Sequence, residues 1–134
     1  MQNLIIKDYI SQKDLLLALS TFWEKENLSV GYLDTSIIQN EDVLLEASPL
    51  AGDVCINLCI YAELTFDIDE LSVFICDSFY TSVLISDNDI NPYSWILITK
   101  NGRQGIVYQV PLETGLFKLL LDDNSGHLTV KPFN

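Results

Sequence analysis

Residues 53–67, DVCINLCIYAELTFD, alternate apolar and more polar side chains almost without error. Val54, Ile56, Leu58, Ile60, Ala62, Leu64 and Phe66 share one parity. Cys55, Asn57, Cys59, Tyr61, Glu63 and Thr65 share the other. Side chains of an extended chain point alternately to opposite faces, so this period of two predicts one long antiparallel strand. One face meets a core and the other is semi-polar.

A strand of that kind needs neighbours and a covering layer. Residues 12–26 supply a helix: Ser11 can cap it, and Leu15, Leu16, Leu19, Phe22 and Trp23 recur at helical spacing. SWILIT and GIVYQV flank KNGRQ, and Asn101-Gly102 marks a hairpin because both residues tolerate positive φ. LFKLLL and HLTV around DDNSG form a second hairpin. The run LSVFICDSFYTSVLIS is β-branched and aromatic and reads as strand, broken at Asp77-Ser78, although its composition also suits a buried helix. Residues 28–50 read either as strands at SVGYL and DVLLEA or as a helix over TSIIQNEDVLLEA.

Strands in sequence without alternating helices imply an α+β fold. The expectation is one N-terminal amphipathic helix on a mainly antiparallel, meander-like sheet of five to seven strands, in a single domain over 1–134. The 49% hydrophobic content offers enough apolar surface for such a core and argues against disorder. No apolar run approaches the ~18 residues of a membrane helix, and no export signal is visible. Three cysteines, Cys55, Cys59 and Cys76, lack framework spacing and suit a reducing, cytoplasmic setting.

Most catalytic chemistries fail on their own requirements. Asp87, Asp89 and Asn91 match positions 1, 3 and 5 of a calcium loop. Pro92 then occupies the glycine position and Ile98 the closing glutamate position, so no EF-hand forms. One histidine, His127, and two cysteines expected on one strand face make no zinc set and no nucleophile–base pair. Lys100 and Arg103 in KNGRQG sit between strands, not in a phosphate loop or a helix-flanked nucleic-acid clamp. No cofactor, no metal and no catalytic residue is expected.

The charge pattern is more informative. Nineteen acids against seven bases leave a net charge of −12, which repels nucleic acid and anionic membranes and attracts basic partners. From Glu26 to Thr99 there are thirteen acids and no Lys or Arg. Acids cluster at turns, in TFDIDEL, SDNDIN and QNED, and turns one strand apart in a meander share a sheet edge. The expected function is therefore non-catalytic binding by an inhibitor or immunity-type protein, or a nucleic-acid mimic, that occludes a basic protein such as a toxin nuclease. Asp67, Asp69, Glu70, Asp87 and Asp89 are the candidate contacts, with Tyr93 as an aromatic anchor. Two rivals stand beside it. An acidic dimeric secretion-chaperone-like protein would end in a packing helix. A small-molecule-binding domain or enzyme would hold its ligand between helix 12–26 and the sheet.

Overall fold

The computed structural model describes residues 1–133. Eight strands and two helices follow in the order β1 (Gln2–Ile6), α1 (Gln12–Glu24), β2 (Val30–Tyr32), β3 (Val43–Pro49), β4 (Ile56–Ala62), α2 (Ile68–Phe79), β5 (Val83–Ser86), β6 (Ser94–Thr99), β7 (Gly102–Val110) and β8 (Lys118–Leu119). The strands form an open, mixed sheet in the order β2-β3-β4-β1-β5-β6-β7-β8. Every pairing is antiparallel except β2 with β3. The class is α+β as expected, with two helices instead of one and eight strands instead of five to seven.

An antiparallel pair, β3 and β4, edged by the parallel β2, and a β5-β6-β7-β8 meander are joined by a strand the sequence did not announce. Leu4 and Ile6 face one side of the sheet and Ile5 the other, all buried, so β1 shows no polar alternation. Its neighbours β4 and β5 are both antiparallel to it, and therefore parallel to each other. Both helices are thus crossovers between parallel strands: α1 joins β1 to β2, and α2 joins β4 to β5. The two crossovers run in opposite directions along the sheet from strands that point in opposite directions. They have the same hand only if both helices lie on one face. One face it is: Leu15, Leu19 and Trp23 of α1 join Leu71 and Ile75 of α2 over Leu4, Ile6, Leu58, Ile60 and Ile98 in one buried cluster.

Residues 68–79 correct the strand expectation. Ile68, Leu71, Ser72, Ile75, Cys76 and Phe79 recur at helical spacing. Asp67 caps the start, its Oδ1 accepting from the backbone N–H groups of Asp69 and Glu70 at 2.9 and 3.3 Å. Both helices end alike. Asn27 (φ 55°) and Tyr80 (φ 51°) take the left-handed conformation, and the next N–H bonds back to the carbonyl five residues earlier, Leu28 to Trp23 and Thr81 to Cys76. Residues 28–50 resolve into β2 and β3, not a helix.

The alternating segment is shorter and less regular than its pattern. The ladder covers Ile56–Ala62, and its parity breaks at the start. Val54 joins a second cluster on the other face, while Cys55 packs against the first. Cys55 and Cys59, expected on one face, therefore part company at this twist: Cys59 pairs with Asn3 and Glu46 on the face away from the helices. The second cluster, Ile5, Val54, Leu84, Val107, Phe117 and Leu119, is roofed by the C-terminal segment. That segment is held by bridges Gly52–Phe117, Ile106–Lys131 and Leu121–Leu128. The Asn101-Gly102 hairpin is present between β6 and β7, with Gly102 at φ 98°. The second hairpin survives as the Leu121–Leu128 bridge around a tight turn. No helix among the described residues is long and apolar enough to cross a membrane.

Candidate functional site

Strand direction decides where the turns gather. β3 and β1 begin, and β4 and β5 finish, at one end of the sheet. That end therefore collects Glu41 and Asp42 ahead of β3, Glu63 after β4, and Asp87 and Asp89 after β5. Met1 lies between them. It shares one groove with Glu41, Asp42, Tyr61 and Glu63, and a second depression with Ile68, Ser86 and Asn88. The start of α2, with Asp67, thus stands beside the segment that carries Asp87 and Asp89. The opposite end receives Lys7 after β1 and Lys100 after β6.

The acids at this end are hydrogen-bonded to neutral donors, not to cations. Asp42 Oδ2 accepts from the Ser29 N–H at 2.8 Å and from its hydroxyl at 3.1 Å. Asp87 accepts from the Asp89 N–H at 3.0 Å and the Ser94 hydroxyl at 2.6 Å, which pins the loop before β6. Asp89 takes its neighbour Ile90's N–H at 2.8 Å. Glu41 and Glu63 are exposed, and among the described residues neither they nor the other acids here meet a Lys or Arg within 4.0 Å.

Two of the acids singled out from sequence are differently placed. Asp69 is held by Arg103 through two hydrogen bonds, one of them 3.0 Å from Nη2 to Oδ1. Glu70 pairs with Lys25 of the segment after α1 at 3.4 Å. Both acids therefore face cations of their own chain, and Lys100 lines the same hollow as Glu70 and Asp77. Asp87 and Asp89 belong to the acidic end, whereas Asp67, at the cap of α2, stands between that end and the field of Arg103. Tyr93 is exposed beside them, its N–H donating to Asn91 Oδ1 at 2.9 Å.

The sequence places Glu41 and Asp42 in an acidic turn, QNED, but does not mark them, or Glu63, as contacts. All three lie in its base-free span, but only the pairing of β3 with β4, Val43 opposite Ala62, sets them together. The face of β3 and β4 away from the helices continues this surface. Glu46 there accepts from the Tyr61 hydroxyl at 3.3 Å. Burial, and then the Glu46 charge, hold the Cys59 thiol and the Tyr61 hydroxyl above their usual ranges, so both stay protonated at neutral pH. Among the described residues no three His, Cys, Asp or Glu side chains are grouped to hold a metal ion. His127 is exposed beside its own turn, where its N–H meets the Ser125 hydroxyl. No family model matches the chain, and no curated protein or solved structure matches it significantly.

Proposed function

We propose that the chain is a non-catalytic binding protein whose acidic end occludes a basic surface of a protein partner, in the manner of a cytoplasmic inhibitor or immunity protein. The observation that carries this reading is the gathering of Glu41, Asp42, Glu63, Asp87 and Asp89 at one end of the sheet without a Lys or Arg side chain among them. Such a surface raises the encounter rate with a cationic partner and suppresses anionic competitors such as nucleic acid. Arg or Lys side chains of the partner would then make charge-assisted hydrogen bonds to carboxylates already held by neutral donors. Tyr93 and Tyr61 stand at the margins as aromatic anchors.

Asp69 and Glu70 are weaker contributors to this surface, since Arg103 and Lys25 offset their charges. The secretion-chaperone reading would call for a C-terminal packing helix, and the described residues after β5 form strands and turns instead.

The test uses charge reversal where folding does not depend on the carboxylate. The tagged chain captures its partner from host lysate at low salt, and the purified pair is measured by calorimetry. Glu41→Lys with Glu63→Lys is expected to weaken binding by at least tenfold, mostly through association rate, and added salt to do the same. Binding indifferent to both changes would sink the electrostatic reading.

A further inference from the structure

A second site lies at the opposite end, between the second face of the sheet and the C-terminal segment. An apolar crevice of about 280 Å³ is walled by Val54, Leu84, Leu97, Leu119, Leu121 and Leu128, with Lys7, Ser82 and Asp53 at its rim. Rim chemistry distinguishes this crevice from a packing defect. The Asp53 carboxylate is already engaged, Oδ2 accepting from the Leu119 N–H at 2.8 Å, so it anchors the roof. Asp8, next to Lys7, takes the Thr81 hydroxyl at 2.7 Å. Among the described residues the Lys7 ammonium has no carboxylate within 4.0 Å and the Ser82 hydroxyl has no hydrogen-bond partner. An aliphatic slot also lined by two residues with unengaged donors matches a chain that ends in an acceptor group.

We propose that this crevice binds a short amphiphilic carboxylate, its alkyl or aryl chain between the leucines and its carboxylate at Lys7 and Ser82. At about 280 Å³ the crevice is at the small end of ligand pockets, which suits a short chain. A longer chain leaves by way of Leu121, which is 42% exposed. The preference for an anion rests on Lys7 and Ser82 in a crevice that Asp53, bound to the Leu119 N–H, also lines. The site is independent of the acidic end and stands or falls without it.

Octanoate, octanol and octylammonium are the probes, titrated into the full chain and followed by two-dimensional amide NMR. Trp95 packs on this cluster and its indole N–H donates to Gln109 at 3.2 Å, whereas Trp23 is buried in the helix-side core. Octanoate is expected to shift the Trp95 indole and the Leu84, Leu97 and Leu128 amides saturably below about 5 mM, leaving the Trp23 indole unmoved. Lys7→Gln is expected to weaken octanoate about fivefold or more and to leave octanol unchanged. Leu121→Phe, at an exposed position, narrows the slot and weakens all three probes. No saturable shift with octanoate overturns the site. Octylammonium binding as tightly as octanoate, or Lys7→Gln without effect, overturns the assignment of a carboxylate ligand.

Discussion

Arg103 and Asp69, 34 residues apart, meet in a two-pronged ion pair that ties the start of β7 to the first turn of α2. The hydrogen bond to Asp69 is the main reason the guanidinium is held even more firmly protonated than usual. Both side chains are partly exposed, 46% and 32%, so water and salt screen most of the Coulomb attraction. Asp69→Asn is expected to cost about 1 kcal/mol or less, read from urea midpoints at constant slope. The cost should shrink in high salt. A loss of several kcal/mol would mean that the pair is effectively buried.

The ends of α2 predict changes of opposite sign. Asp67→Ala removes the acceptor of two N–H groups and is expected to cost about 1 kcal/mol, with Asp67→Asn retaining most of the stability. At the other end Tyr80 is 86% exposed and sits at φ 51°, ψ 48°, where its Cβ crowds the backbone. Tyr80→Gly relieves that strain at some cost in unfolded-chain entropy, for a net gain of about 0.5–1 kcal/mol. Thermal melts of the two variants should move in opposite directions.

These two residues also explain what the sequence concealed. Asp67 followed by Glu70 is a serviceable cap signal, but the next residues, IDELSVFICDSF, are rich in β-branched and aromatic types. Composition outweighed spacing there, although Ile68, Leu71, Ser72, Ile75 and Cys76 carry the helical period. Tyr80 stands where a glycine would have announced the stop. β1 was invisible for a different reason: a strand buried on both faces between two neighbours has no alternation to show. α1 and the Asn101-Gly102 hairpin were legible because their signals are local. The acidic end was half legible. Its charges stood in the sequence, but β1 had to be placed between β4 and β5 before Glu63 and Asp87 could be assigned to one end.

Cys76 makes stability fall in alkali. Its side chain is buried under α2, the thiol faces the Ile98 carbonyl at 3.4 Å, and burial raises its pKa to about 11 from an ordinary 9.0. The unfolded chain loses this proton near pH 9 while the folded chain keeps it. The thiol's contribution is therefore complete below pH 9 and disappears as pH rises towards 11. Urea unfolding free energies should decline with pH across that window, and Cys76→Ala, whatever it costs at pH 7, should show a shallower decline. An identical pH slope in the variant would contradict the assignment. The same burial predicts slow thiol labelling of Cys76 relative to Cys55 and Cys59, which are partly exposed.

Gly52 and Gly102 share a positive φ but not an environment, and this separates two costs that a Gly→Ala substitution usually mixes. At Gly102 (φ 98°) nothing lies within 4 Å of an added Cβ, so Gly102→Ala meets backbone strain alone, about 1–2 kcal/mol. At Gly52 (φ 118°) the new Cβ would fall 2.2 Å from the Phe117 carbonyl oxygen, and that atom is main chain. The Asp53 N–H donates to this same carbonyl at 2.7 Å, and the Phe117 N–H to Ala51 at 2.8 Å. Neither strand can give way without breaking the bridge. Gly52→Ala is therefore expected to detach the C-terminal segment, costing about 3 kcal/mol or more, and to expose Val54, Leu84 and Phe117. Amide exchange should accelerate at Phe117, Leu119 and Thr129 while α1 and α2 stay protected. Equal costs at the two glycines would show that the bridge contributes nothing beyond its backbone angle.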